Sequence, residues 1–268
     1  SSDLAFLNEG DQVLIPNPGY PTYTSVTNLV GAVPVYYDLK ESTNWEPDFE
    51  ALEQLDLSKV KIMWVGYPHM PTGARGSLAL FEKLVAFAKK HSILLVNDNP
   101  YSFVLNENQL SIFQIKGSKD IALELNSLSK TFNMAGWRVG MVSGNATLID
   151  AILKVKSNMD SGMFYGIQKG AITALKLGKD WFKSQNEIYT KRRNLIFELA
   201  QKMNCTFDKN MADAPIYQSG DRVLQWGHRV NYVDCHRDGG DFAWHKNNSL
   251  VKASELTFKS IFGEKWKK

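Results

Sequence analysis

Residues 78–98 read LALFEKLVAFAKKHSILLVND. In the first part of this stretch, Leu80, Leu84 and Phe87 recur at helical spacing, with charged residues between them. The last part begins with four consecutive apolar residues, 93–96, as expected for a strand that is covered on both faces. A helix that leads at once into a buried strand is typical of an α/β protein.

The same alternation of short β-rich runs and longer helical segments extends over residues 1–205. Further strands are predicted at 13–15, 33–37, 62–65, 122–127 and 138–143, and further helices at 22–30, 147–157, 164–177 and 179–203. Neither a helical nor an alternating pattern persists across 211–250. We therefore predict an α/β domain with a mainly parallel sheet at 1–205, followed by an atypical region at 206–268.

Composition restricts the classes of function. The chain has 268 residues, of which 44% are hydrophobic and 22% charged, and this excludes a disordered protein. Its 31 Lys+Arg against 28 Asp+Glu give a net charge of +3, too small for a nucleic-acid binder with a basic stripe. No apolar run approaches the roughly 20 residues of a membrane span. Nothing resembles a signal peptide, and two cysteines make no disulfide framework, so we expect a cytoplasmic protein without a membrane partner.

The most specific segment is SLSKTFNMAGWRVG at 127–140. Lys130 follows a predicted buried strand and stands among hydroxyls and glycines, where a lysine with a lowered pKa can attack a carbonyl. Arg138 and the hydroxyl of Ser127 match the oxygens of a phosphate group. A lysine beside a phosphate site suits an aldehyde cofactor that carries a phosphate. A lone lysine after a strand is more often a solvated loop residue, so this reading depends on the other segments.

Three further segments follow predicted strands. NDNPY at 97–101 places Asp98 and Tyr101 at the carboxyl end of a strand, where open α/β sheets bind ligands. GYPHMPTG at 66–73 is a stiff loop with two prolines. IPNPGYPTY at 15–23 can set the ring of Tyr20 over a planar ligand. Each segment also has an ordinary structural interpretation as a turn, a cap or aromatic packing.

Together, and in this order, the four segments resemble the class I/II aminotransferases, which are fold type I pyridoxal 5'-phosphate (PLP) enzymes. The resemblance covers roughly residues 4–205 and implies the three-layer large domain of that fold, with the small domain incomplete or atypical. It implies that Lys130 forms the internal aldimine with PLP and that Asp98 pairs with the pyridinium nitrogen.

The resemblance also assigns the other contacts to the cofactor. Tyr101 is expected to bind its phenolic oxygen, and Ser127 and Arg138 are expected to hold its phosphate. Tyr20 is expected to stack on its ring. Met70 stands where the family usually has an asparagine that shares the phenolic-oxygen contact, and a thioether is a poor substitute. We therefore expect altered cofactor electronics with binding retained.

The two ends of the chain depart further from the family. The family's Gly-Ser/Thr phosphate turn and N-terminal arm lie upstream of the helix that begins here near Leu4, so the start is expected to be truncated. No arginine in 212–250 can be assigned to the family's clamp on the substrate carboxylate. Residues 252–259 again look like the family's last helix. Our hypothesis is that 212–251 is a scrambled or frame-shifted part of the small domain.

The function implied is transfer of an amino group from an L-amino acid to a 2-oxo acid, by a homodimer. Related members use the same chemistry for β-elimination or decarboxylation, so a PLP-dependent lyase remains an alternative, as does an inactive fragment. A metal module built on His228, Cys235, His236 and His245 fits no paired-ligand zinc spacing, and we predict no metal site.

Overall fold

The computed structural model describes residues 2–202, 206–207, 216–219 and 222–225. The described helices are α1 Ser2–Phe6, α2 Pro21–Leu29, α3 Phe49–Glu53, α4 Leu78–His91, α5 Leu128–Thr131, α6 Ala146–Met159, α7 Tyr165–Leu175 and α8 Lys179–Lys202. The described strands are β1 Gln12–Asn17, β2 Val33–Asp38, β3 Val60–Val65, β4 Leu94–Asp98, β5 Ala122–Ser127, β6 Gly140–Ser143, β7 Thr206–Phe207, β8 Ile216–Ser219 and β9 Arg222–Gln225.

Six strands form one sheet in the order β2-β1-β3-β4-β5-β6. The first five run parallel, and β6 pairs antiparallel with β5 at the edge. The predicted mainly parallel sheet is thus confirmed. Because parallel neighbours point the same way, the carboxyl ends of β1, β3, β4 and β5 meet at one edge. The segments that carry the predicted site residues follow these four strands.

Apolar side chains cover both faces of this sheet. One buried cluster joins the apolar face of α4, with Leu80, Phe81 and Leu84, to the side of the sheet that it covers. The other cluster includes Tyr23 of α2 and Ile152 of α6, with α1 packed against α6. Helices therefore lie on both sides of one sheet, and the predicted three-layer arrangement is confirmed.

Local sequence explains where α4 begins and ends. The Ser77 hydroxyl accepts a hydrogen bond from the Leu80 N–H at 3.0 Å, which satisfies one of the free donors of the first turn. The last turn carries Lys89, Lys90 and His91, which favour the negative end of the helix dipole, and Ser92 ends the helix in the left-handed conformation. The chain then enters β4 at once, so helix and strand are held in close succession.

One predicted strand needs correction. The strand predicted at 138–143 begins at Gly140, because Arg138 has a φ of 55° and ends a short 3-10 turn at Ala135–Trp137. In 211–250, where neither pattern persists in the sequence, β8 and β9 pair with each other, and β8 also pairs with β7. The structure does not test the division at residue 205, which stays a prediction. Within the described residues, no helix is long and apolar enough to cross a membrane.

Candidate active site at the carboxyl edge of the sheet

Asp98, the last residue of β4, is the central polar group of this edge. Its largely buried carboxylate accepts a hydrogen bond through Oδ2 from the hydroxyl of Tyr23, at 2.9 Å. Burial raises the pKa of Asp98, because water no longer solvates the charged form, and the hydrogen bond from Tyr23 acts in the opposite direction. The carboxylate is therefore largely removed from water and oriented by the Tyr23 hydroxyl.

Tyr23 is itself fixed by its neighbours on the α2 side of the sheet. Its ring stacks on Trp64 of β3, with 4.6 Å between ring centroids and 10° between the planes. The pKa of Tyr23 lies well above its ordinary range, first because the phenol is buried and then because Asp98, Tyr37 and Tyr101 lie close. Tyr23 is thus a neutral donor.

Gly66, the first residue after β3, lets the backbone of that strand pass very close to Asp98. A methyl group placed on its Cα would lie 2.8 Å from the carbonyl oxygen of Asp98 and 3.7 Å from the hydroxyl of Tyr23. A contact of 2.8 Å is too short for any side chain. Glycine at this position is therefore required by the packing around Asp98.

Lys130 lies in the single turn of α5, directly after β5. The hydroxyl of Ser127 caps this turn by accepting a hydrogen bond from the Ser129 N–H at 3.1 Å. The neighbouring Thr131 hydroxyl donates to the carbonyl of Pro100 at 3.4 Å. Because Pro100 precedes Tyr101, the lysine segment and the segment after β4 are in direct contact.

Arg138 and Tyr20 lie nearer to solvent than Asp98. Arg138 is exposed, and its Nη1 donates to the carbonyl of Ala135 at 3.0 Å. Its segment is joined to α5 by a hydrogen bond from the Leu128 N–H to the Val139 carbonyl at 3.1 Å. Tyr20 is 42% exposed and meets Tyr23 edge to face at a centroid distance of 5.7 Å. The structure thus brings all six predicted site residues to this edge of the sheet.

Three buried residues near this edge were not singled out from the sequence. Tyr23 stood within a quoted segment, but nothing in its spacing distinguished it from Tyr20. His69, in the loop after β3, is 4% exposed, and its Nδ1 lies 2.7 Å from the hydroxyl of Thr72. Burial lowers the pKa of His69 to about 4, so this imidazole is neutral near neutral pH. Met70, beside it, is partly buried.

Glu124 of β5 is the third of these residues. Its Oε2 accepts hydrogen bonds from Asn97 Nδ2 at 3.0 Å and from the Ile112 N–H at 2.9 Å, and its Oε1 accepts from Asn126 Nδ2 at 3.3 Å. The carboxylate therefore ties β4, β5 and the long connection between them to one point. In the sequence, a buried glutamate cannot be distinguished from one on the surface. Glu124 could have been identified only by knowing that β4 and β5 are neighbours in the sheet.

A family model described as aminotransferase class I and II matches residues 1–219. The chain belongs to the class I and II aminotransferases. LL-diaminopimelate aminotransferase of Nitratidesulfovibrio vulgaris is 39% identical over 203 residues, which are 75% of this chain and 52% of that protein. LL-diaminopimelate aminotransferase 2 of Trichormus variabilis is 43% identical over 202 residues, again 75% and 52%. This aminotransferase chain spans about half the length of these curated relatives.

Solved structures agree with the family. The apo-BacF structure from Bacillus subtilis matches with a TM-score of 0.77 and 34% identity, over 82% of this chain and 57% of that chain. A Thermus thermophilus aspartate aminotransferase matches with a TM-score of 0.74 at 24% identity, over 82% and 58%, which bears on the fold alone. The predicted fold type I is confirmed, and the aminotransferases of this family depend on PLP, as predicted.

The sequence predicts no metal site. Within the described residues there is no group of three or more His, Cys, Asp or Glu side chains that could hold a metal ion. His228, Cys235, His236 and His245 lie outside the described residues, as does most of 212–251. The hypothesis about the origin of that segment stays a hypothesis.

Proposed function

We propose that this protein uses PLP to transfer an amino group from an L-amino acid to a 2-oxo acid, with Lys130 as its catalytic residue. The observation that carries the proposal is the buried Asp98 carboxylate at the end of β4, beside the strand that leads into Lys130. A buried acid with one orienting donor suits a protonated ring nitrogen, whereas a surface turn would not require burial.

The donors at the sheet edge fit the cofactor in chemical type. Ser127 accepts a hydrogen bond in the α5 cap and still has its own proton to donate to a phosphate oxygen. The guanidinium of Arg138 has five N–H donors, of which the Ala135 carbonyl takes one. Asp98 would hold the ring nitrogen, and Tyr101 would bind the phenolic oxygen. Tyr20 would cover one face of the ring.

PLP, when bound, supplies an electron sink that stabilises the negative charge left when the Cα proton is removed. Lys130 would hold the cofactor through its aldehyde and, once displaced by the substrate amine, would carry the Cα proton on Nζ. Asp98, by staying ionised, would keep the ring nitrogen protonated. Ser127 and Arg138 would keep the phosphate fixed while the bonds at the other end of the cofactor change.

The curated relatives indicate which substrate to test first. Because the two curated relatives named above are LL-diaminopimelate aminotransferases, we propose LL-diaminopimelate as the first amino donor and 2-oxoglutarate as the acceptor. Formation of glutamate supports transamination. Release of ammonia or carbon dioxide from the amino acid without glutamate would instead indicate a lyase or a decarboxylase of the same fold.

The direct test is to add PLP, reduce with borohydride and map the labelled peptide. Borohydride makes the bond between a lysine amine and an aldehyde permanent, so the cofactor mass should appear on Lys130. Lys130→Ala should abolish the label. Lys154→Ala, on the exposed side of α6, should leave it unchanged. Label on another lysine, or no specific label in the parent protein, would contradict the proposal.

We also propose a homodimer. Apolar side chains on and between α6 and α7 support it, since Met159, Phe164 and Tyr165 are 62%, 75% and 65% exposed. Sedimentation equilibrium of the 268-residue chain should give twice the monomer mass. A monomer at all concentrations would contradict this part of the proposal.

A further inference from the structure

Tyr23 has a fixed position and one functional contact. Its ring is buried against Trp64, and its hydroxyl donates to Oδ2 of Asp98 at 2.9 Å. The ring cannot turn without losing the stacking contact, so packing sets the position of the hydroxyl oxygen, and the Asp98 carboxylate sets the direction of the O–H bond. Tyr23 therefore does more than fill space in the core, because its hydroxyl contacts the carboxylate of the candidate site.

We infer that Tyr23 is a positioning residue that orients the Asp98 carboxylate and keeps it ionised for the ring nitrogen of the cofactor. This inference rests on the proposed function. Tyr23 does not touch the reacting atoms; it acts through Asp98.

Geometry supports the orienting part of this role. A carboxylate has two oxygens, and a hydrogen bond to Oδ2 leaves Oδ1 to accept a second bond. The missing side chain of Gly66 leaves room beside the Tyr23 hydroxyl, whose distance to a methyl group there would be 3.7 Å. Tyr23 thus fixes one oxygen of the Asp98 carboxylate, and the other oxygen would face the ring nitrogen of the cofactor.

Electrostatics supports the second part. The groups that face Tyr23 are Asp98 from β4, Tyr37 from β2 and Tyr101 from the loop after β4. A phenol never carries a positive charge, so neither Tyr37 nor Tyr101 offers a cation that would stabilise the Asp98 carboxylate. Two influences act on the pKa of Asp98, namely burial, which raises it, and the Tyr23 hydrogen bond, which lowers it. Loss of the hydroxyl therefore favours the protonated carboxyl, which cannot pair with a protonated ring nitrogen.

The test compares two buried tyrosines. Tyr23→Phe removes the hydroxyl and keeps the ring on Trp64. Tyr37→Phe is the matched control, because the Tyr37 hydroxyl is also buried and donates to the Trp64 carbonyl at 2.7 Å. Both variants lose one buried hydrogen bond, but only the first bond ends on Asp98. Some loss of stability is therefore expected from both, and only Tyr23→Phe should change the titration of Asp98.

The first readout needs no cofactor. The carboxyl band of Asp98, assigned by its disappearance in Asp98→Asn, is followed by infrared spectroscopy as pH is varied. Tyr23→Phe should move the midpoint of this titration upward by about one pH unit, since hydrogen bonds to charged groups contribute on that scale. Tyr37→Phe should leave the midpoint unchanged. An unchanged midpoint in Tyr23→Phe would overturn the inference.

The second readout is reversible PLP binding to the unreduced apo protein, measured as the dissociation constant across the same pH range. Tyr23→Phe should weaken binding about tenfold on the acid side of its shifted midpoint, as one pKa unit implies. If the dissociation constant has the same pH dependence in Tyr23→Phe and Tyr37→Phe while the borohydride label still appears on Lys130, the inference is overturned and the proposed function stays intact. Absence of label on Lys130 in the parent would instead contradict the proposed function.

Discussion

Gly66→Ala should damage the protein at the place where Asp98 is held. The added methyl group would lie 2.8 Å from the Asp98 carbonyl oxygen, about 0.6 Å short of ordinary van der Waals contact. This oxygen belongs to the backbone of β4, so it cannot swing aside as the end of a long side chain could. The end of β3 and the end of β4 must therefore separate, and Asp98 and the bond from Tyr23 move with them.

The expected cost follows from this overlap. Overpacking by one methyl group in a close-packed interior costs about 1–3 kcal/mol, and the backbone contact places Gly66→Ala in the upper half of that range. Urea unfolding should show the loss as a lower midpoint at unchanged slope. Because Asp98 is displaced, PLP binding should also weaken. Each ~1.4 kcal/mol of strain that the binding site absorbs lowers the affinity for PLP tenfold.

Gly178→Ala provides the control. It adds the same methyl group where nothing lies within 4 Å, so its PLP affinity should match that of the parent, and its stability should fall by no more than about 1 kcal/mol, the usual loss when alanine stands before the first residue of a helix. If Gly66→Ala loses no more unfolding free energy than Gly178→Ala and keeps the PLP affinity of the parent, the reasoning is refuted. Loss of stability without loss of affinity would show that the strain is relieved away from Asp98.

Two further predictions concern buried polar groups. Glu124→Leu should lower the unfolding free energy, measured in urea, by about 2–4 kcal/mol, because Asn97 and the Ile112 N–H lose a buried acceptor. The control Glu82→Leu, on the exposed surface of α4, should change the unfolding free energy little. Equal effects of the two substitutions would contradict this prediction. His69, with its pKa lowered to about 4, binds a proton more readily when the chain is unfolded. Stability should therefore fall by up to about 3 kcal/mol as pH drops from about 6.5 to about 4, and His69→Gln should flatten this dependence in urea midpoints measured against pH.

The large elements could be predicted because their patterns are periodic. The helix expected at 78–91 is present with the same bounds, and strands expected at 33–37 and 122–127 differ from β2 and β5 by at most one residue. The short helices α3 and α5 were not predicted. They have five and four residues, which are too few to show a helical repeat of apolar side chains. Arg138 was placed in a strand, because sequence alone does not reveal its left-handed backbone.

The candidate site divides in the same way. Asp98, Lys130 and Arg138 could be proposed because a family motif surrounds each of them, and their roles stay proposals. Tyr23 and Glu124 could not, because their importance comes from partners that lie 75 and 27 residues away along the chain. No local pattern records such pairs, which form only when the strands are side by side.

The bond between Asn97 and Glu124 also bears on how the sheet is assembled correctly. These residues lie opposite each other in the β4–β5 ladder. A slip of one residue would turn the carboxylate to the other face, into the apolar cluster that contains Val96 and Leu123. An unpaired charge there costs several kcal/mol, so mispaired sheets are strongly disfavoured. The same pair thereby sets how far Asp98 and Ser127 stand from each other along the strand direction, before any cofactor is present.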